Sequence, residues 1–352
     1  MTAASNRQRK RRASPGADLH PHTVIWETTQ ACEGDCRQHG GCSGPKHHPD
    51  ELTTREGTAL LTAIAAMGTP EVQLGGGDPA LRHDLLALVS HARDVGLAVT
   101  LAASSTPTMT PKRLAELKRA GLTRVGVRID GYNAETHDAR HGREGAFAEA
   151  LRLLGDADAV GLETRIKTTV HAGNDRHLST MSYLVAELGA ASWAVLFEPG
   201  TTLSPARAEE LWHALAAFGE RGDFRVHALG APALARVRLQ RAAARGLGDL
   251  GSSHNDGGGL MFVSHVGEIT PSPWLPLSAG NVRSDDLART YREHALFVGL
   301  RDADSHDGRC GVCEFRVVCG GSRARAYRSH GSLRASDPLC AHVPPEPRQK
   351  RR

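Results

Sequence analysis

All seven cysteines of this 352-residue chain fall into two groups, one near each end. Cys310, Cys313 and Cys319 form a C-x2-C-x5-C run, and Cys340 follows after twenty intervening residues. Four thiolates at such spacing saturate a cubane iron–sulfur cluster, and C-x2-C also suits a tetrahedral zinc site. The N-terminal group, Cys32, Cys36 and Cys42, is irregular. Three thiolates leave one iron of a cubane open to a further ligand, so this is the group at which bond-making chemistry is conceivable. Clustered free cysteines behind no secretory signal indicate metal binding in a reducing cytoplasm rather than disulfides.

Positioning these groups requires elements that end at a common place. Between the cysteine groups strands and helices alternate. Strands are expected at Val24–Thr28, Val72–Leu74, Ala98–Ala102, Arg124–Asp130, Glu163–Val170 and Ser192–Phe197. The helices between them carry apolar faces such as Leu60, Leu61 and Ile64, or Leu114 and Leu117, and they stop at Gly68 and Gly121. Six strand–helix units in succession predict an α/β fold with a parallel sheet, most simply a partial (β/α)6 barrel, with a doubly wound sheet as the alternative. In a barrel, ligands sit at the C-terminal strand ends. There the sequence places Cys32 and Cys36 after the first strand, Gly75-Gly76-Gly77-Asp78-Pro79 after the second, and Asp130 at the end of the fourth.

Composition narrows the class further. The net charge of +4 is carried by the ends: residues 1–18 hold +4 and residues 344–352 hold +3, which leaves −3 on the body. Neither basic end is accompanied by an aromatic or groove-reading motif, so they read as solvated tails and no nucleic-acid function is expected. No apolar run reaches the roughly 18 residues of a membrane span, and no membrane partner is expected. His47-His48 reads as a solvated loop, because adjacent imidazoles point apart. Trp193 and Trp212 read as core, and Trp274 either packs or shields the C-terminal site.

The chain resembles the radical S-adenosylmethionine (SAM) superfamily from about Val24 to Pro344. WETTQAC-x3-C, GGDPALR, and RVGVRIDG followed by ETHDARHG are similar to its SAM-binding barrel. FVSHVGEITPS, LPLSAGNVR, CGVCEFRVVCGGSRARAY and DPLCAH are similar to its C-terminal SPASM/twitch extension, in the manner of heme-biosynthesis and peptide-cofactor maturases. The resemblance implies a [4Fe–4S] cluster on three N-terminal cysteines, with SAM chelating the fourth iron. It implies SAM contacts from Gly76, Gly77, Asp78 and Pro79, and a place for Asp130 near the ribose and substrate. An auxiliary [4Fe–4S] cluster is implied on Cys310, Cys313, Cys319 and Cys340. The corresponding domains are a basic tail over 1–20, the barrel over 21–230, a linker over 231–259, the cluster domain over 260–343 and a second basic tail over 344–352.

At the decisive place the sequence departs from the pattern. C-x3-C-x2-C counted from Cys32 reaches Cys36 and then His39; Gln38 precedes it, where the family favours an aromatic, and Cys42 follows after Gly40-Gly41. Arg128 stands where a small hydroxyl residue is common. Thiolate keeps a cluster more reducing than imidazole does, which favours Cys42 as third ligand, whereas position favours His39. Three functions are therefore expected. The first is a radical SAM enzyme that generates a 5′-deoxyadenosyl radical and uses an electron donor. The second is a pseudoenzyme keeping only the auxiliary cluster, and the third a zinc-stabilised binding module. About 22 residues precede the first strand, too few for a folded leader-peptide domain, which leaves a small molecule, a tetrapyrrole or a separately delivered peptide as substrate.

Overall fold

The structure is a computed structural model that describes residues 19–32, 44–103, 108–245 and 255–345. Parallel strands alternate with helices from β1 (Thr23–Thr29) onward. They are α1 (Thr54–Ala66), β2 (Glu71–Gly76), α2 (Leu85–Asp94), β3 (Ala98–Ala102), α3 (Pro111–Ala120) and β4 (Arg124–Arg128). Two helices, α4 (Ala134–His141) and α5 (Ala146–Ala159), precede β5 (Glu163–Thr169). There follow α6 (Leu178–Glu187), β6 (Ser192–Leu196), α7 (Pro205–Arg221), β7 (Arg225–Leu229) and α8 (Ala233–Ala244).

Each strand presents its apolar residues to the helices and its polar residues to the other face, as period-two geometry requires. Val24 and Trp26, Val72 and Leu74, Val99 and Leu101, Val125 and Val127, and Trp193 and Val195 form one continuous core beneath the helices. The sheet runs β7-β6-β5-β4-β3-β2-β1 and is parallel throughout. Its polar face is concave. Glu71 on β2 lies 3.2 Å from Arg124 on β4 and 3.4 Å from Arg165 on β5. Strands in a flat sheet stand about 4.8 Å apart, so contact across three spacings needs a curled sheet. This is the expected partial barrel.

The sheet is wider than six strands. Arg225–Leu229 adds β7, whose inward residues Arg225 and His227 give it no apolar alternation strong enough to read from sequence. On the other side β8 (Leu260–Val263) pairs parallel with β1, Trp26 standing opposite Val263, and β9 (Ile269–Thr270) pairs antiparallel with β8. The C-terminal segment therefore begins as a strand of the barrel sheet. The stretch expected as a linker, 231–259, contains α8, which packs on α7. Beyond β9 come four short helices, α9 (Leu287–Glu293), α10 (Ala295–Arg301), α11 (Gly308–Val312) and α12 (Arg323–His330). No helix among the described residues is long and apolar enough to cross a membrane.

Candidate active site at the barrel mouth and a four-cysteine pocket

The chain leaving β1 runs through Gln30 and Ala31 to Cys32, directly against the glycine loop that leaves β2. The Gly77 N–H donates to the Thr29 carbonyl at 2.8 Å, and the Asp78 N–H donates to the Ala31 carbonyl at 2.7 Å. A Cβ on residue 77 would stand 2.3 Å from the Ala31 oxygen, so only glycine allows the two loops this approach. The Asp78 carboxylate is turned away, accepting from the Ala80 N–H at 3.0 Å and capping the short turn Pro79–Leu81. Cys32 is buried, and its N–H donates to the Gly44 carbonyl at 2.9 Å. Cys36, His39 and Cys42 lie outside the described residues.

Two residues that the sequence reading left unassigned hold this junction. Arg82, the last residue of GGDPALR, donates to the Thr28 carbonyl at 2.8 Å and the Leu52 carbonyl at 3.1 Å, and it grips Asp84 at 2.8 and 2.7 Å. Glu51 accepts from the Thr29 hydroxyl at 2.6 Å and from the Gln30 N–H at 3.0 Å. Burial alone would raise the Glu51 pKa, but these donors hold it below the ordinary value. His47, expected in a solvated loop, lies half-exposed with Nδ1 3.0 Å from Glu51 and 3.1 Å from the Thr29 hydroxyl. The signal for Arg82 was an arginine following a strand-end loop, too common a pattern to single out alone.

Asp130 ends β4 on the same rim. It is buried, its Oδ1 accepts from the Thr169 N–H at 2.7 Å, and its carbonyl accepts from the Asn174 side chain at 2.9 Å. Its Oδ2 lies 3.4 Å from His141 Nε2 and 3.9 Å from Arg128, with no well-formed hydrogen bond. Burial opposes the charge, but His141, Arg128 and the Thr169 N–H outweigh it and hold the carboxyl below its usual pKa. His137 stacks on His141 with ring centres 4.1 Å apart; burial and that neighbour push its pKa down to about 4, so it is neutral near pH 7. Its Nδ1 accepts from the Asp130 N–H at 3.1 Å. The rim is thus a buried carboxylate whose second oxygen faces His141 and Arg128, beside neutral imidazole.

The second group of cysteines is brought together. Cys310, Cys313, Cys319 and Cys340 line one pocket, and none is in a disulfide. Backbone N–H groups point at the sulfurs: Phe315 at Cys313 (3.4 Å), Gly321 at Cys319 (3.4 Å) and Asp337 at Cys310 (3.5 Å). Such donors favour thiolate. Burial pushes the thiols of Cys313, Cys319 and Cys340 up, so without a bound cation they would stay protonated. Four convergent thiols, sulfur-directed N–H groups and a demand for positive charge fit an iron–sulfur cluster. Gly311 is obligatory inside C-G-V-C, since a Cβ there would meet the His306 carbonyl oxygen at 2.2 Å. Asp337 anchors the wall, paired with Arg325 at 2.8 Å through both oxygens and accepting from the Ser322 N–H at 2.8 Å. Cys313 also lies with Glu314 and His342, their donor atoms within 4.8 Å of one another, a mixed set of the kind zinc accepts. Trp274 is not in the pocket wall; it packs with Leu275, Leu300 and Ala324, and against Gly230 after β7.

The model of the radical SAM superfamily matches residues 26–181. The AdoMet-dependent heme synthase of Methanosarcina barkeri is 32% identical over 92% of this chain and 97% of its own length. The Fe-coproporphyrin III synthase of the same organism is 28% identical over 90% of this chain and 87% of its own. Among solved structures, Streptococcus suis SuiB bound to S-adenosylmethionine superposes with a TM-score of 0.72 at 13% identity, covering 92% of this chain and 78% of that one, a likeness of fold. With a heme synthase related over nearly its full length and a curled parallel sheet whose glycine loop meets the segment that leads to the first cysteine, the chain belongs to the radical SAM superfamily.

Proposed function

We propose that the protein is a radical SAM enzyme that modifies a tetrapyrrole, with a SAM-binding [4Fe–4S] cluster at the barrel mouth and an auxiliary [4Fe–4S] cluster in the four-cysteine pocket. The observation that carries the reading is the contact between the Cys32 segment and the Gly76-Gly77-Asp78-Pro79 loop at the C-terminal ends of parallel strands. Relatives named heme synthase supply the substrate class. When bound, a cluster with SAM would supply radical chemistry for hydrogen abstraction from the substrate.

This chain's residues would position and shield. Cys32 and Cys36, with Cys42 or His39, would ligate the cluster. Backbone groups of the 76–79 loop would hold SAM at its amino end, and Asp130 would accept from the ribose through Oδ2, which has no well-formed hydrogen bond. The neutral His137 and the buried β4–β5 rim would exclude water from the reacting centre. Cys310, Cys313, Cys319 and Cys340 would ligate the auxiliary cluster fully, which suits electron transfer with a donor protein rather than substrate binding.

Two observations favour other readings. His39 at the third ligand position favours a protein that no longer cleaves SAM. The Cys313, Glu314 and His342 set favours zinc. Anaerobic reconstitution with iron, sulfide and zinc counting, followed by a 5′-deoxyadenosine assay with a strong reductant, separates all three. The enzyme reading expects about eight irons and SAM cleavage, with Cys313→Ala losing about four irons. About four irons without cleavage would leave the pseudoenzyme, and zinc without iron would leave the binding module.

A further inference from the structure

The concave face of the sheet holds more cations than carboxylates. Toward the N-terminal strand ends three arginines share two glutamates. Arg124 pairs with Glu71 at 3.2 Å and Glu163 at 2.9 Å, Arg165 pairs with Glu71 at 3.4 Å and donates to the Ser192 hydroxyl at 3.2 Å, and Arg225 pairs with Glu163. One layer nearer the mouth, Arg128 on β4 stands directly opposite Lys167 on β5. Arg128 has only Asp130, at 3.9 Å, and among the described residues the Lys167 ammonium has no hydrogen bond or ion pair. Asp130 is itself shared with His141 and the Thr169 N–H.

Like charges directly across a strand pair destabilise a sheet. A partly buried ammonium with no partner costs more still. Burial, then Arg128 and Arg165, push the Lys167 pKa down to about 7 against the pull of Glu71. Lys167 is nevertheless given room: its chain lies over Gly126, where a Cβ would stand 3.2 Å from its Cε. An anion entering from the mouth would relieve both costs together.

We propose that Arg128 and Lys167 form a carboxylate-binding site on the concave wall, one that takes an acidic group of the substrate and so selects a polycarboxylate. The inference deepens the enzyme reading above and rests on its placement of the substrate at this mouth. An arginine fork beside an ammonium matches a carboxylate in both charge and geometry.

The test uses full-length, anaerobically reconstituted protein. Coproporphyrin III, a tetracarboxylate, is titrated by tryptophan quenching, its tetramethyl ester serves as the uncharged control, and SAM binding is measured separately by equilibrium dialysis. Lys167→Asn is expected to weaken coproporphyrin III at least tenfold, to leave the ester unchanged and to alter SAM affinity less than threefold. Arg128→Lys/Lys167→Arg should retain the binding. Thermal melts guard against misfolding, since removing one of the like charges should leave the melting temperature equal or higher. The proposal is overturned if wild type does not bind coproporphyrin III saturably, if the neutral variant binds it as wild type does, or if SAM weakens tenfold too, which would make SAM's own carboxylate the ligand. SAM cleavage is scored apart. No cleavage with cation-dependent porphyrin binding defeats the enzyme reading and leaves this site standing; cleavage with cation-independent binding does the reverse.

Discussion

Replacing Gly77 by alanine tests the contact on which the mouth is built. The added methyl would stand 2.3 Å from the Ala31 oxygen and 2.8 Å from both the Ala31 carbonyl carbon and the Gln30 oxygen. All three are backbone atoms, so no rotamer change relieves the clash. Restoring an ordinary contact of about 3.2 Å needs the loops to part by about 0.9 Å. Taken along that line, the Asp78 N–H to Ala31 bond lengthens from 2.7 Å to about 3.6 Å, past hydrogen-bonding distance. The Gly77 N–H to Thr29 bond, now 2.8 Å, opens with it. Two such bonds contribute about 1–3 kcal/mol together. For a chain of this size that is a fall of about 1–4 °C in melting temperature.

Gly75→Ala is the matched control. Its Cβ would meet nothing nearer than Ala102 Cβ at 3.6 Å, so the same chemical change two residues earlier should be neutral or slightly stabilising. Circular-dichroism melts of both variants, with SAM binding by equilibrium dialysis, give the comparison. Gly77→Ala should melt lower and lose SAM binding at least tenfold, while Gly75→Ala should do neither. If the two variants melt and bind SAM alike, the close approach of the Cys32 segment to the glycine loop is not what organises this mouth.

Three further outcomes are expected. Cys42→Ser should abolish 5′-deoxyadenosine formation and His39→Ala should spare it if Cys42 is the third ligand; the reverse pattern would assign His39, and activity surviving both would exclude each. Asp337→Asn leaves Arg325, which is 3% exposed, as an unpaired buried cation and should cost about 3–5 kcal/mol, whereas Asp307→Asn in the exposed Arg334 pair should cost less than about 1 kcal/mol; equal denaturant midpoints would refute the distinction. Asp84 is buried, which alone would raise its pKa, but Arg82 and Thr54 hold it below the ordinary value. Its contribution is therefore whole above about pH 4 and is lost as pH falls through the depressed pKa. Asp84→Asn should lower stability at pH 7 and flatten the acid limb of the pH–stability curve, and an unchanged acid limb would count against the pair.

The barrel was legible because its outer face obeys a simple rule. Val72 and Leu74, or Val125 and Val127, alternate with polar residues, and the helices between carry capping threonines and terminal glycines at Thr53, Thr110 and Gly121. What escaped the reading lacked that rule. In β7, Arg225 and His227 occupy the inward positions, so five residues look like loop. In β8, Leu-Met-Phe-Val reads as a strand, but its partner is β1, some 236 residues away, and nothing local encodes the pairing. α4 is short and charged, with His137 its one buried residue. The cysteines and the glycine loop stood out through residue type. Arg82, Glu51 and Asn174 did not, because their roles consist of reaching backbone carbonyls and N–H groups supplied by distant loops.

The C-terminal segment is fastened to the barrel at two places. On one edge β8 extends the sheet beside β1, and the β8–β9 turn brings the His265 ring to Glu27 at 2.6 Å. Across the barrel, Arg325 of α12 donates through Nη1 to the Phe197 carbonyl after β6 at 3.3 Å while its Nε and Nη2 hold Asp337 in the wall of the cysteine pocket. Asp256, before β8, accepts from the Ala324 N–H at 2.8 Å and ties the two attachments to each other. The segment therefore spans the open side of a half-barrel that is not closed by its own strands. The cysteine pocket sits where that span meets β6 and α8, with Arg236 of α8 lining it. Metal bound there would act on the barrel as well as on the short helices around it, because Arg325 and Asp337 transmit any opening of the pocket to the strand end at Phe197. A chain with few aromatic residues and four short C-terminal helices has little apolar area to hold such a span. A cluster cross-linking it through four thiols at one point would supply rigidity there.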